Sequence, residues 1–159
     1  MPYIIDGHNL IPKFGISLTA EDDEAQLVRI VQEFARITRK GIIEIYFDKA
    51  AQSPFPFAIP SFLKVTFTKN GQSADNAIIK RVQQLKNDAK NWQIVSSDHY
   101  VQREVKRFGA NFLSAEEFAR LVYDEINKAG AKPERVDKLS SDEVDEWMDL
   151  FSGKKKNDQ

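Results

Sequence analysis

The chain has 159 residues, a net charge of −1 at pH 7 and no cysteine. Its length fits one domain, and its 42% hydrophobic and 30% charged content is that of an ordinary globular protein. The lack of cysteine excludes disulfides, thiolate zinc sites and a cysteine nucleophile, and the near-neutral charge means that local basic patches must bind any polyanionic partner.

Membrane insertion and secretion are not expected from this sequence. No apolar run approaches the roughly 20 residues of a membrane span, and the N-terminus lacks a basic-then-apolar signal sequence. We therefore expect a cytoplasmic protein without membrane contacts. With only two histidines, His8 and His99, a metal would be held by carboxylate oxygens, which favours magnesium or manganese.

Five short apolar runs have the composition of β-strands. They span residues 2–6, 42–48, 63–68, 93–97 and, more weakly, 111–113. Segments with helical periodicity separate most of them, and this alternation favours a parallel sheet covered on both faces. We predict an α/β fold, a three-layer sandwich with a central, mostly parallel sheet.

Four helices are predicted between and after these strands. They cover residues 20–40, 74–87, 99–108 and a segment that begins at a capping box formed by Ser114 and Glu117. The first helix has one apolar stripe, formed by Leu27, Val31, Phe34 and Thr38. Gly41 is the expected C-terminal stop of that helix.

The composition becomes more polar after residue 128. We assign the folded domain to residues 1–128 and a C-terminal extension to residues 129–159. The extension is predicted to contain one helix, from about Ser140 to Phe151, and a basic, disordered tail.

Four aspartates fall where a parallel sheet would bring them to one edge. Asp6 and Asp48 end the first two strands, and Asp98 follows the fourth strand. Asp75 opens the helix after the third strand and continues the apolar face of that helix. The carboxyl ends of parallel strands are where α/β sheets bind ligands, so a shared acidic site is expected there.

Each of these acids also has a purely structural explanation. Asp6 can form a turn and Asp48 can end a strand, while Asp75 can complement a helix dipole and Asp98 can be an N-cap. The combination favours a site, because converging carboxylates resist ionisation unless a cation neutralises them. One or two magnesium or manganese ions suit such ligands, and these ions promote phosphodiester hydrolysis.

The sequence lacks the common phosphate-binding glycine loops, so it gives no support to nucleotide-cofactor chemistry. The chain has neither a G-x-x-x-x-G-K-(S/T) nor a G-x-G-x-x-G pattern. Asp6 is followed by Gly7, His8 and Asn9, so the D-x-D-x-T pattern of one large phosphatase class is also missing. A small-molecule phosphatase is therefore a weaker hypothesis than a nuclease.

The blocks DGHNLI, FDK, TKNGQSADNAIIKRV and VSSDHYVQREVKRFGANFLSAEEF resemble the YacP-like branch of the NYN domains, which are PIN-like, metal-dependent ribonucleases. The resemblance covers roughly residues 2–125, and the C-terminal helix also resembles an extension of that family. It implies a PIN-like sheet, one or two divalent ions and RNA cleavage that leaves 3′-hydroxyl and 5′-phosphate ends. His8 and Asn76 depart from the residues common in the family, Tyr and Ser, which bears on substrate preference.

Carried over position by position, the resemblance implies roles for several residues. The catalytic residues are Asp6, Asp48, Asp75 and Asp98, of which Asp6, Asp75 and Asp98 are the expected metal ligands. Polar positions that support them are matched by Asn9, Ser97 and Thr68, and Asn9 is expected to orient Asp6. His8 is either a group that lies beside the metal or contacts phosphate, or a polar loop residue, and the loop residue is favoured.

Basic and aromatic side chains near the predicted edge suit RNA. The expected RNA-binding cations are Lys49, Lys69, Arg81, Arg103 and Arg107. Lys80 and Lys106 are interpreted as solvated surface. In the proline-rich segment 49–62, Phe55 and Phe57 are either base-stacking groups or side chains packed on the sheet, and packing is favoured.

Two classes of function follow from these observations. The first is a metal-dependent endoribonuclease that acts on mRNA or ribosome-associated RNA, as a monomer or weak homodimer. The alternative is an RNA- or ribosome-binding module with the PIN-like fold and little catalytic activity. The intact carboxylates weigh against the alternative, because a binding module would gain from losing charges that repel phosphate.

Overall fold

The computed structural model describes residues 1–39, 41–48, 55–69 and 71–129, and its strands form one sheet. The five strands are β1 (Tyr3–Asp6), β2 (Ile43–Phe47), β3 (Leu63–Phe67), β4 (Gln93–Val95) and β5 (Asn111–Leu113). Their order is β3-β2-β1-β4-β5, and every neighbouring pair is parallel. The predicted strands are confirmed, and the sheet of the described residues is wholly parallel.

Helices cover both faces of this sheet. They are α1 (Gly7–Leu10), α2 (Asp23–Thr38), α3 (Ala74–Leu85), α4 (His99–Arg107) and α5 (Ala115–Lys128). Short 3-10 helices follow α1 and α3, at Ile11–Phe14 and Lys86–Asn91. The helices α1, α2 and α5 pack on one face, whereas α3 and α4 pack on the other. The predicted three-layer sandwich is confirmed.

The central strand β1 joins the two cores. Tyr3 and Ile5 point toward α2 and α5, and Ile4 points toward α3 and α4. Tyr3 packs edge-on against Phe34 of α2 and Phe118 of α5, with ring centroids 6.0 and 5.2 Å away. Because both faces are covered, β1 is buried at every residue, which explains its continuous apolar sequence.

The end of α2 differs from the predicted stop at Gly41. The helix ends at Thr38, because Arg39 adopts a left-handed conformation with φ of 52° and donates its N–H to the Ala35 carbonyl. Gly41 also has a positive φ, of 97°, and follows this turn. The capping box at the start of α5 is confirmed, with reciprocal bonds between Ser114 and Glu117.

The predicted helix from Ser140 to Phe151 and the basic tail lie outside the described residues. Within the described ranges, the helices are too short or too polar to cross a membrane.

Candidate acidic site at the carboxyl edge of the sheet

Asp6 is the last residue of β1 and lies beneath the first turn of α1. It pairs in register with Tyr46 of β2, and only 6% of its surface is exposed. The next residue must be small, because a Cβ on Gly7 would overlap the Phe47 ring. The chain enters α1 directly after Asp6, where the sequence had predicted only a turn.

Asp48 follows β2 and connects it to two helices. Its Oδ1 accepts the N–H of Ala74 in the first turn of α3, at 2.6 Å. Its own N–H donates to Nδ1 of His8 in α1, at 3.3 Å. The side chain of this exposed aspartate is thus fixed at the edge of the sheet.

Asp75 lies at the centre of the acidic group. It is the second residue of α3, whose N-cap Ser73 accepts the N–H of Asn76. Its half-buried carboxyl group interacts with those of Asp6 and Asp98 at hydrogen-bonding range and also faces Asp48. We call Asp6, Asp48, Asp75 and Asp98 the acidic edge.

Asp98 caps α4, as its structural explanation predicted. Its Oδ1 accepts the N–H groups of Tyr100 and Val101, at 2.8 and 3.2 Å. Its own N–H donates to the Ser96 hydroxyl, at 3.1 Å. Both capping bonds use Oδ1, and the carboxyl group still interacts with Asp75, so capping and membership of the acidic edge are compatible.

The electrostatics of the acidic edge are those of like charges held together. Burial and the charges of Asp75 and Asp48 together raise the pKa of Asp6 to about 7, and the Asn9 backbone amide lowers it only in part. The pKa of Asp75 is raised first by burial and then by Asp98 and Asp48. Such carboxylates ionise readily only when a cation neutralises them, so this set of donors fits a hard divalent ion.

The spacing of these acids favours an ion that keeps part of its water shell. Within the described ranges, no three of the four bring ligand oxygens within 4.8 Å of one another. Magnesium commonly binds proteins through one or two carboxylates and retains several waters. The arrangement therefore suits ligation that is partly direct and partly through water.

The polar residues predicted to support the acids tie neighbouring elements together. Asn9 Oδ1 accepts the Ser97 N–H at 2.7 Å, so this side chain links α1 to the segment after β4. The backbone amide of Asn9 hydrogen-bonds Asp6 and favours its ionised form, so the contact of Asn9 with Asp6 is made by the main chain and not by the side chain. Ser97 Oγ donates to Glu116 and accepts from Ala115, both at 2.8 Å. Thr68 is buried, and its N–H extends the ladder between β2 and β3.

A second group of ligand-type residues lies beside the acidic edge and was missed by the sequence interpretation. His8, Asp23 and Glu24 each place a ligand atom within 4.8 Å of the others. Its sequence signal is the acidic run EDDE at residues 21–24. His8 is therefore not the loop residue expected, because it lies in α1 and contacts the start of α2.

The tautomer of His8 follows from its two hydrogen bonds. Nδ1 accepts the Asp48 N–H, so the ring proton lies on Nε2 and is donated to Glu24 at 2.8 Å. The ring also packs on Phe47, with centroids 5.1 Å apart. These contacts make His8 a connection between the start of α2 and the backbone of Asp48.

The predicted RNA-binding cations have different environments. Arg81 forms a bidentate ion pair with the buried Glu44 of β2, and its guanidinium lies 5.3 Å from the Trp92 ring centroid. Arg103 lies over Tyr100, and Arg107 pairs with Glu104 on the surface of α4. Lys69 is exposed after β3, and Lys49 lies outside the described residues. Their binding to RNA stays a prediction.

The favoured interpretation of Phe55 and Phe57 is confirmed. Both pack against the core on the α2 side of the sheet. Their rings stack on each other with centroids 5.7 Å apart, and Arg29 lies 4.9 Å from the Phe57 centroid. These contacts account for the two side chains without a ligand.

This fold, with a parallel five-stranded sheet whose carboxyl edge carries the acids, is PIN-like. The sequence profile of the YacP-like NYN domain matches residues 3–152, and the chain belongs to that family. The chain thus belongs to a family whose members are generally nucleases.

Solved structures share this fold. The chain is similar to Rae1 (YacP) from Bacillus subtilis, with 23% identity, a TM-score of 0.67, and coverage of 96% of this chain and 89% of that one. A point mutant of the same protein gives 24% identity, a TM-score of 0.66, and coverage of 95% and 91%. No significant match was found among curated proteins.

Proposed function

We propose that the protein is a divalent-metal-dependent endoribonuclease that hydrolyses phosphodiester bonds in RNA. The observation that carries this proposal is the acidic edge, where Asp75 interacts with the three other carboxylates and Asp6 also interacts with Asp48. A purely structural role would explain Asp48 and Asp98, which accept backbone N–H groups. It would not explain why Asp6 is buried among other acids.

In this proposal Asp6, Asp75 and Asp98 hold one or two magnesium or manganese ions, directly or through water. A bound ion would polarise the scissile phosphate and lower the pKa of an attacking water. Asp48 fixes the start of α3 and thereby the position of Asp75. The targets we propose are mRNA or ribosome-associated RNA.

The test is cleavage of an end-labelled, single-stranded RNA with manganese or magnesium, with and without a chelator. Asp98→Asn is the sharpest substitution, because asparagine is also a good N-cap and retains the start of α4. Asp75→Asn removes the central charge. We expect each to lower cleavage by more than the roughly 10–100-fold typical of residues that only support a metal ligand.

Asp124→Asn is the matched control, because Asp124 is an exposed aspartate on α5, a helix that packs on the opposite face of the sheet from α3. It should cleave like the wild type. Unchanged cleavage by Asp75→Asn and Asp98→Asn would refute the proposal. RNA binding that persists in chelator, without cleavage under any metal condition, would instead support a binding module.

A further inference from the structure

A groove lies at the side of the sheet, next to α3. Its walls are the outermost strand β3 with the residues that follow it, and the exposed flank of α3. The groove residues that matter here are Thr66, Thr68, Lys69, Lys80, Arg81 and Gln84. Since Asp75 lies in the first turn of α3, the groove and the acidic edge share that helix.

The charge of this groove is opposite to that of the acidic edge. Lys69 and Lys80 are exposed, and none of the described residues that line the groove carries a carboxylate. Arg81 contributes less, because its charge is balanced by the buried Glu44, which holds the guanidinium in place. A phosphate chain repelled by the four acids could contact these two lysines, one after β3 and one on α3.

The dimensions and remaining polar groups suit one strand. The groove has a volume of about 300 Å³, at the lower end of the roughly 300–1,000 Å³ typical of small-ligand pockets. It can accept a nucleotide of a single strand but not a duplex. The hydroxyl of Thr66 and the amide of Gln84 line it and can bond base edges, which are accessible only in unpaired RNA.

We propose that this groove binds single-stranded RNA immediately beside the phosphate that is cleaved, with Lys69 and Lys80 contacting backbone phosphates. The proposal rests on the nuclease function proposed above, since it takes the acidic edge as the place of cleavage. It assigns Lys80 to RNA binding, although the sequence alone indicated only solvated surface.

The test compares two double variants that remove the same charge. Lys69→Gln/Lys80→Gln changes the groove. The distal variant, Lys90→Gln/Lys128→Gln, changes two exposed lysines outside the groove. Lys90 precedes β4 and Lys128 ends α5, so both lie toward the amino ends of the strands, away from the acidic edge. Binding of a fluorescent single-stranded RNA is measured in chelator, so that it is not cleaved, over a range of salt concentrations.

The groove variant should bind more weakly, and its plot of log affinity against log salt should be less steep by about 1.4, or about 0.7 for each lost phosphate contact. The distal variant should differ from the wild type by much less. Photo-crosslinking of RNA that contains 4-thiouridine should label peptides with residues 66–69 and 77–84. Equal salt slopes for the two variants, or labelling confined to other surfaces, would overturn the proposal.

Cleavage assays on the same proteins separate the two proposals. A wild-type protein that binds RNA through the groove but never cleaves it would refute the nuclease proposal and leave RNA binding in the groove intact. A wild type that cleaves, with a groove variant whose affinity and salt slope are unchanged, would refute the groove alone. Thermal unfolding verifies that both variants fold, since exposed substitutions typically change stability by less than about 0.5 kcal/mol.

Discussion

Replacing Asp6 by asparagine should stabilise the metal-free protein and abolish the RNA cleavage that we propose. Asp6 has its pKa raised from 3.8 to about 7 by burial and by Asp75 and Asp48. At about 1.4 kcal/mol for each tenfold change in proton affinity, this difference corresponds to about 4 kcal/mol. The figure is the free energy that the fold loses when Asp6 is ionised without a cation beside it.

The sign of the pH dependence follows directly. The folded protein holds the Asp6 proton more tightly than the unfolded chain does, so this stabilisation is complete below about pH 4 and is lost as pH rises through about 7. Asp6→Asn has no proton to lose. It should therefore raise the free energy of unfolding by up to about 4 kcal/mol at pH 8 and change it little at pH 4.

Urea denaturation in chelator at pH 4, 6 and 8 measures this difference, with Asp124→Asn as the control. A manganese titration at pH 8 then adds the functional half of the prediction. Metal at 100 times its dissociation constant should stabilise the wild type by about 2.7 kcal/mol and Asp6→Asn by much less. Destabilisation of Asp6→Asn at pH 8, or a difference independent of pH, would refute the electrostatic reasoning.

Three further experiments test the framework of the site. Gly7→Ala should lower the free energy of unfolding by about 1–3 kcal/mol in urea, because its Cβ would meet the Phe47 ring; equal stability would show that the ring moves aside freely. Arg81→Met should lower the free energy of unfolding by about 3 kcal/mol, because it leaves Glu44 buried without its partner. Adding Glu44→Leu to this variant should recover most of that loss, and a double variant as unstable as Arg81→Met would contradict the account. His8→Phe keeps the ring on Phe47 but removes the acceptor of the amide after β2, so kcat for RNA cleavage should fall while RNA affinity holds; an unchanged kcat contradicts this.

The sheet and its helices could be predicted because their signals are local. A parallel strand covered on both faces is a continuous apolar run, as in β2, and a helix such as α5 begins at a capping box. The helix α1 was not predicted, because four residues are too few to show a helical period and DGHNLI has the residues of a turn. Arg39 stopped α2 by a left-handed conformation that its sequence does not signal.

The acidic edge could be anticipated because parallel strands end at one edge, so chain order alone brought Asp6, Asp48 and Asp98 together. The contacts that fix those acids were not visible, because they join residues far apart in the chain. His8 meets Asp48 across 40 positions, and Arg81 meets Glu44 across 37. An arginine on a helix surface gives no sign that its partner is a glutamate inside a strand.

The buried Glu44 has a consequence for how β2 is aligned. On the α3 side of the sheet it meets Arg81 and the Tyr46 hydroxyl. If β2 slipped by one residue, its side chains would exchange faces, and Glu44 would enter the aromatic core around Phe34. There the charge would have no guanidinium to receive it. We therefore expect this ion pair to disfavour misaligned sheets more than it stabilises the native fold. Asp48, four residues later, then reaches the acidic edge in only one alignment of β2.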